Sequence, residues 1–422
     1  MMKTTKLFLT LALSAALFGL NAQMKERKVL FIGIDGLRSD ALQAAATPHM
    51  DSLFQTGIST YDSWHLGVTS SGPSWSSMLT GVWEAKHGIT NNSYSGANFA
   101  NYPYFPHLIK DVDPSAKAVQ IITWNQMDDA SKNTGGYVTN AKWDLAIDAG
   151  THGQGLVTAA AKIQLNDPDL DVLFIHYDEC DAAGHATGFT TNSPTYMNAT
   201  QQVDTEIGEV IDALKKRPNY ANEDWLVLST TDHGGQGYSH GGQSDNERHI
   251  WWYATSSQGT LTPHQITATD PGSYQMSSNP VDAAKLATTP VLTDIAVTAI
   301  DWILPFDKPD NHPVWDLDGK SWLPDSVSVV DTSSSVGQKE FQYANSFVVF
   351  PNPSAGTFYL KNETFGNVPS KVRVLNLAGV VVFEGIMDRP VYPVETEGWS
   401  KGIYLLQASS ELGITTKKII KK

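Results

Sequence analysis

Acidic residues and histidines follow apolar runs at three places in this sequence, within "KVLFIGID", "DECDAAGH" and "TTDHGGQGYSHGG". The six side chains are Asp35, Asp181, His185, Asp232, His233 and His240. Three carboxylates and three imidazoles brought to one place would repel one another or stay unpaired without a counter-ion. Carboxylate with imidazole and no thiolate suits zinc or a similar divalent metal at a catalytic site. Six such ligands and a hydroxyl are enough for two ions, an arrangement that serves phosphoryl transfer.

The hydroxyl comes from the stretch "VTSSGPSWSSMLTG", residues 68–81. Ser71 precedes a helical pattern, so its side chain is expected at a helix N-terminus, where the dipole and free N–H groups favour an anion. A serine in this position is also typical of an N-cap, and Thr69 and Ser70 offer neighbouring hydroxyls. Beside a zinc ion the Ser71 hydroxyl would ionise near neutral pH, which makes it a candidate nucleophile.

Single residues of this set have structural interpretations as well. Asp35 before a glycine is typical of a helix cap, and His185 alone would be an ordinary structural histidine. Asp178 and Glu179 are acids close to the set. His176 alternates with apolar residues, which predicts a core position rather than a metal ligand. The metal-site hypothesis therefore depends on the six residues taken together.

The elements that must position these residues are short apolar runs separated by helical patterns. The strand-like runs are "KVLFIGID", "AVQIITW", "LDVLFIHY" and "DWLVLSTT", and the helical patterns are "GLVTAAAKIQL", "TQQVDTEIGEVIDALKKR" and "VLTDIAVTAIDWIL". This alternation predicts an α/β fold, a doubly wound and mostly parallel sheet with helices on both faces. Ligands collect outside the carboxyl ends of such strands, which is where the acids and histidines lie.

Composition limits the classes of partner. The 422 residues carry a formal net charge of -15, which argues against a nucleic-acid-binding or anionic-membrane surface because those partners require basic patches. An anionic substrate would then require a local positive centre, and a metal ion is the usual one in an acidic protein. Cys180 is the single cysteine, so no disulfide can form within the chain.

The ends of the chain predict export and a second domain. Residues 1–22, two lysines followed by an apolar run and a small residue, predict a secretory signal peptide, and the run is too short for a transmembrane segment. A polar, serine-rich linker at 326–345 separates a catalytic domain at 27–325 from residues 346–422. The alternating runs of that last part predict a small all-β sandwich.

Four motifs in order carry a family resemblance: "FIGIDGLRSDAL", "SGPSWSSMLTGVWEAKHGI", "DECDAAGH" and "TTDHGGQGYSHGG". They resemble the alkaline phosphatase superfamily, specifically its type I phosphodiesterase/nucleotide pyrophosphatase branch. The resemblance implies two zinc ions, nucleophilic attack on phosphorus by a serine hydroxyl, and a covalent phosphoserine that water hydrolyses. The ligand sets that it implies are Asp181, His185 and His240 for one ion, and Asp35, Asp232, His233 and Ser71 for the other.

The sequence departs from that branch at two positions. Members carry threonine where Ser71 stands and asparagine where Ser74 stands, and because that asparagine contributes to phosphoryl binding, Ser74 is predicted to bind substrate. The predicted function is a secreted zinc phosphodiesterase or nucleotide pyrophosphatase acting on a small phosphate ester or nucleotide.

Three more functions are compatible with these residues. A sulfatase belongs to the same superfamily, but Trp75 replaces the arginine of the sulfatase signature. A phosphomonoesterase would use the same metal centre, because pocket loops decide between monoester and diester. A non-catalytic surface protein could use the fold for binding alone, although no ligand or hydroxyl of the set is missing.

The C-terminal part has its own resemblance. "FPNPSAGTF", "VRVLNLAGVVVFEG", "GIYLLQAS" and the lysine-rich end "TTKKIIKK" resemble the sorting domain of the type IX secretion system. The resemblance implies that the secretion machinery is a partner and that the protein is exported to the cell surface or the medium. A β-sandwich that binds carbohydrate or a partner protein is the alternative.

Overall fold

The chain divides into two compact units, residues 1–330 and 331–422. The computed structural model describes residues 25–130, 136–304, 315–324, 347–362, 370–376, 380–387, 391–410 and 413–422. The predicted signal peptide, 1–22, and the predicted linker, 326–345, lie outside the described residues.

The first unit is built on an eight-stranded sheet. Its strands are β1 (Glu26–Ile34), β2 (Ile58–Trp64), β3 (Lys117–Ile122), β4 (Leu145–Asp148), β5 (Leu170–Tyr177), β6 (Glu223–Thr231), β7 (His249–Ser256) and β8 (His264–Gln265). Their order is β4-β3-β5-β1-β6-β7-β2-β8. Neighbouring strands are parallel except at β7, which is antiparallel to both β6 and β2. The predicted mostly parallel sheet is confirmed.

Helices cover both faces of this sheet. They are α1 (Ser39–Ala44), α2 (Pro48–Thr56), α3 (Ser71–Thr80), α4 (Glu84–His87), α5 (Phe105–Val112), α6 (Gln154–Gln164), α7 (Glu179–Thr187), α8 (Pro194–Lys215), α9 (Asp245–Arg248), α10 (Ala283–Leu286) and α11 (Asp294–Ile303). Side chains of a strand alternate between faces, so Val29 and Phe31 pack with α3, α5 and α11. Leu30 and Ile32 pack with α2, α6 and α8 on the opposite face. None of the helices in the described part of the chain combines the length and the apolar character that spanning a bilayer requires.

The second unit consists of two antiparallel sheets. Its strands are β9 (Phe347–Phe350), β10 (Phe358–Asn362), β11 (Ser370–Asn376), β12 (Val381–Met387), β13 (Val391–Val394), β14 (Gly402–Ser410) and β15 (Gly413–Lys421). One sheet has the order β13-β10-β9 and the other β12-β11-β14-β15. Phe358 and Leu360 of the first sheet share a core with Val372 and Leu406 of the second. The predicted small all-β sandwich is therefore confirmed.

Candidate active site

Two neighbouring strands deliver the first two carboxylates. Strands β1 and β6 pair in parallel along their whole length, so Asp35 and Asp232, which follow them, lie side by side at the carboxyl edge of the sheet. The Asp35 N–H donates to the Tyr177 carbonyl at the end of β5 (2.8 Å). The Gly36 N–H donates to Asp232 Oδ1 (3.0 Å). Backbone hydrogen bonds of the strand ends thus fix both acids.

Gly36 allows helix α7 to approach the end of β1. Its φ is +69°, and a Cβ added there would lie 2.7 Å from the Asp181 Cα. Helix α7 carries Asp181 and His185 four residues apart, which places both side chains on one face of the helix. The absence of a side chain at Gly36 therefore lets this face reach the strand-end acids.

Gly36→Ala is expected to lower the free energy of unfolding by about 2–5 kcal/mol, because it adds a left-handed backbone cost to a clash with the Asp181 backbone. Gly259→Ala is the matched control, since Gly259 has the same φ of +69° and no described heavy atom within 4 Å of an added Cβ. Urea unfolding measures the free energy of unfolding of both variants and of the wild-type protein. Equal losses would show that the close approach to Asp181 contributes nothing.

The first ligand group joins α7 to the loop after β6. His185 Nε2 lies 3.3 Å from Asp181 Oδ2, and His240 Nε2 lies 3.6 Å from Asp181 Oδ1. The His240 ring also stacks on the His233 ring, with centroids 3.7 Å apart. This stacking connects the first group to the second.

The second ligand group surrounds His233. Its Nε2 lies 3.2 Å from Asp232 Oδ2, 3.7 Å from Asp35 Oδ1 and 3.4 Å from Ser71 Oγ. Ser71 is the first residue of α3 and is 7% exposed. In each group the acid and histidine ligand atoms lie within 4.8 Å of one another. The structure therefore brings together all seven side chains that the sequence proposed as metal ligands.

The three histidines share one hydrogen-bonding arrangement, in which Nδ1 contacts a backbone carbonyl. The pairs are His185 with Tyr238 (2.8 Å), His233 with Gly234 (2.7 Å) and His240 with Thr69 (3.0 Å). Because a carbonyl oxygen only accepts, Nδ1 carries the hydrogen and Nε2 of the neutral ring presents a lone pair. This is how proteins orient metal-binding histidines.

One oxygen of each acid lacks a donor. Asp35 Oδ1, Asp181 Oδ1 and Asp232 Oδ2 are buried and have no hydrogen-bond partner among the described residues. Each faces a histidine Nε2 at 3.2 to 3.7 Å, so acceptors face acceptors, which is unfavourable in a buried site without a cation. Ligand atoms around a tetrahedral zinc ion, at about 2.0–2.1 Å from the metal, lie roughly 3.3 Å apart. The residues present thus fit a divalent cation in each group.

The negative charges of the carboxylates also repel one another. Burial raises the pKa of Asp232 well above its ordinary value, and the charge of Asp35 raises it further. The same two causes, in the same order, raise the pKa of Asp181. Burial opposes ionisation of Asp35 too, but a hydrogen bond from His176 and the other contacts of this carboxylate outweigh burial and lower its pKa. A cation in each group would offset this repulsion.

A cavity of about 560 Å³ opens beside the two groups, a size typical of small-molecule sites. Its lining residues are Asp35, Ser71, Asn92, Trp124, Thr151, His152, Asp178, Asp181, Ala182, His185, Ala186 and His240. Ligand atoms and an aromatic side chain therefore share one space.

Ser74 does not line this cavity. Its hydroxyl is fully buried, donates to the Ser70 carbonyl at 2.7 Å and lies 2.8 Å from His65 Nε2. A hydroxyl bonded to the carbonyl four residues earlier turns toward its own helix. The substrate-binding role predicted for Ser74 therefore does not match its position.

Asn92 is a cavity residue that the sequence analysis missed. Its Oδ1 accepts a hydrogen bond from the Gly72 N–H at 2.8 Å, directly beside Ser71. Asn92 follows another asparagine in the polar stretch "TNNSYSG", and nothing in that pattern distinguishes a binding residue from a loop residue. Its place depends on the tertiary contact with Gly72.

Comparison with known families gives two matches. The family model described as type I phosphodiesterase / nucleotide pyrophosphatase matches residues 29–252, slightly more than half of the chain. The model of a secretion system C-terminal sorting domain matches residues 348–422.

Curated relatives match about half of the chain. Bovine bis(5'-adenosyl)-triphosphatase ENPP4 is 26% identical over an aligned length of 247 residues, and the match covers 54% of this chain and 52% of that protein. Mouse ectonucleotide pyrophosphatase/phosphodiesterase family member 7 is 23% identical over an aligned length of 227 residues, and the match covers 50% of each chain. The chain thus spans about half the length of the curated relatives it matches.

One solved structure shows the fold. The phosphonate monoester hydrolase of Agrobacterium radiobacter has a TM-score of 0.51 at 13% identity and covers 87% of this chain and 88% of its own. Murine ectonucleotide pyrophosphatase / phosphodiesterase 5 with AMP has a TM-score of 0.40 at 19% identity, covering 50% of this chain and 58% of its own.

Proposed function

Because this chain belongs to the type I phosphodiesterase / nucleotide pyrophosphatase family, we propose that it is a metal-dependent phosphoric ester hydrolase of the phosphodiesterase type. The observation that carries the proposal is the set of three buried carboxylate oxygens that face unprotonated histidine nitrogens. A serine–histidine pair alone would leave those oxygens without partners. Two cations account for them, and a ligand set of imidazole and carboxylate without thiolate suits zinc or a similar divalent metal at a catalytic site.

The proposed cation ligands form two sets. They are Asp181, His185 and His240 for one ion, and Asp35, Asp232, His233 and Ser71 for the other. When bound, the cations would neutralise charge on the phosphoryl group and favour ionisation of the Ser71 hydroxyl. The protein's part is to hold the ligand atoms in place through the strand ends and the backbone carbonyls.

Ser71 is the proposed nucleophile. Its Oγ loses a proton to solvent and attacks phosphorus, the bond from phosphorus to the leaving oxygen breaks, and that oxygen takes a proton from water. A water molecule then attacks the same phosphorus and loses a proton to solvent, the bond from phosphorus to Ser71 Oγ breaks, and Oγ takes a proton, which restores the hydroxyl and releases the phosphate monoester. Two in-line displacements retain the configuration at phosphorus. The position of Ser71 at the first residue of α3 also supports anion binding.

The remaining cavity residues favour a diester. Asn92 uses Oδ1 to accept from Gly72, so its amide nitrogen is the group that can donate to a phosphoryl oxygen. Trp124 and Thr151 provide a wall for the second ester group. The described lining contains neither lysine nor arginine, which suits a singly charged diester better than a doubly charged monoester.

The C-terminal match supports export. Residues 348–422 match a secretion system sorting domain, and we assign the secretion to the type IX system on the motifs of the sequence. The proposed organisation is a signal peptide at 1–22, a catalytic domain at 27–325, a linker at 326–345 and a sorting domain at 346–422. The protein would act at the cell surface or in the medium.

Metal analysis combined with a substrate panel tests the proposal. The purified protein is expected to contain close to two equivalents of zinc, measured by mass spectrometry of the metal. It should hydrolyse a p-nitrophenyl phosphodiester faster than the monoester, and should leave the sulfate ester intact, as followed by absorbance. Activity that persists after complete chelation would overturn the proposal.

A further inference from the structure

Trp75 connects the helix of Ser71 to a proposed metal ligand. It lies four residues after Ser71 on α3 and is fully buried. Its indole Nε1–H donates a hydrogen bond of 3.0 Å to Asp35 Oδ2. One side chain therefore joins the element that carries the hydroxyl to the carboxylate that ends β1.

The indole ring is fixed in place on two sides. Gly33 of β1 lies two residues before Asp35, and a Cβ added there would be 2.3 Å from the Trp75 ring. On another side the His176 ring meets the indole edge-to-face, with centroids 4.7 Å apart and planes at 88°. His176 is itself fully buried and its Nδ1 lies 2.9 Å from Thr123 Oγ1. The strand and the histidine together hold the N–H in one direction.

This contact gives the two oxygens of Asp35 different environments. Oδ2 accepts from Trp75 and lies 3.4 Å from His176 Nε2. Oδ1 has no hydrogen-bond partner within the described part of the chain and faces His233. An indole N–H is a neutral donor, so it orients the carboxylate and leaves its negative charge in place. An arginine in the same position would neutralise that charge.

We propose that Trp75 is a positioning residue, which directs Oδ1 of Asp35 into the cation site formed with Asp232 and His233. It also sets the distance from that site to the helix of Ser71. This inference rests on the metal centre of the proposed function. Groups that orient a metal ligand are typically worth 10- to 100-fold in metal affinity.

Trp75→Phe tests the proposal, because it keeps an aromatic ring and removes the N–H. Trp143→Phe is the matched control: Trp143 is 1% exposed, packs against Phe174 as Trp75 does, and its indole nitrogen has no hydrogen-bond partner among the residues described. Zinc affinity is measured on metal-depleted full-length protein by competition with a chromogenic chelator. Trp75→Phe should lower the zinc affinity of one of the two sites about 10- to 100-fold and leave the affinity of the other site unchanged. Trp143→Phe should leave the zinc affinities of both sites unchanged.

The outcomes separate this inference from the proposed function. Wild-type zinc affinity in folded Trp75→Phe, or an equal loss in Trp143→Phe, would overturn the positioning role. Failure of the wild-type protein itself to bind zinc would instead overturn the proposed metal centre. If Trp75→Phe does not fold, Gly33→Ala serves as the second variant, because its methyl group displaces the indole from the strand side. It should lower the zinc affinity of the same site. Unchanged zinc affinity in Gly33→Ala also overturns the inference.

Discussion

Ser71→Ala is expected to lower kcat on a phosphodiester by at least about 10³-fold, the usual scale for removal of a nucleophile. The hydroxyl lies 3.4 Å from His233 Nε2 and lines the cavity, so no phosphoserine can form without it. The ion beside this hydroxyl keeps three of its four proposed ligands in the variant, namely Asp35, Asp232 and His233. Zinc content should therefore stay close to the wild-type value.

Acid quenching during turnover provides a direct measurement. Mass spectrometry should find the phosphoryl group, with the ester substituent that the first displacement leaves on it, on the Ser71 peptide of the wild-type protein and no such group on the variant. Ser70→Ala is the control, since Ser70 is the neighbouring hydroxyl, makes no side-chain cap to α3 and does not line the cavity. Wild-type turnover in Ser71→Ala, or loss of turnover only in Ser70→Ala, would move the nucleophile to another residue.

The parts of the site that could be predicted from sequence are those set by local signals. Asp35 and Asp232 each follow an apolar run that predicts a buried strand. The carboxyl ends of all strands in a parallel sheet lie at the same edge, which is where ligands bind. Asp181 and His185 are four residues apart, so any helix places them together. These signals need no knowledge of which strands are neighbours.

The parts that could not be predicted depend on contacts distant in sequence. Asn92 reaches the cavity through the N–H of Gly72, twenty residues earlier. Trp75 appeared only as a departure from the sulfatase signature, yet it contacts Asp35 across 40 residues. The family resemblance predicts substrate binding for Ser74, whereas its hydroxyl bonds to the Ser70 carbonyl within its own helix. For Trp75 and Ser74, side-chain direction in α3 rather than residue type decides the role.

Asp232→Asn is expected to change stability in opposite directions with and without metal. Asp232 Oδ1 accepts from the N–H groups of Gly36 and His233, and an asparagine oxygen can accept both. Oδ2 lies 3.2 Å from His233 Nε2, where two acceptors meet. An amide nitrogen in that place becomes a donor to Nε2, and the charge that repels Asp35 disappears.

The metal-free variant should therefore have a higher free energy of unfolding than the metal-free wild type, by about 1–3 kcal/mol, the scale of relieving an unsatisfied buried group. Zinc should reverse the order. Saturation at about 100 times Kd stabilises a protein by roughly 2.7 kcal/mol per site, and the variant loses a charged ligand of one ion. Its turnover should fall together with its zinc content.

Urea unfolding with and without zinc measures both differences. Asp224→Asn is the control: Asp224 is buried near the opposite end of β6, and its two oxygens accept hydrogen bonds from Ser256 and Thr260. Replacing an acceptor that faces donors should lower stability equally in both conditions. If Asp232→Asn also destabilises the metal-free protein, Oδ2 is not an unpaired acceptor in the folded chain, and the argument for a cation between it and His233 fails.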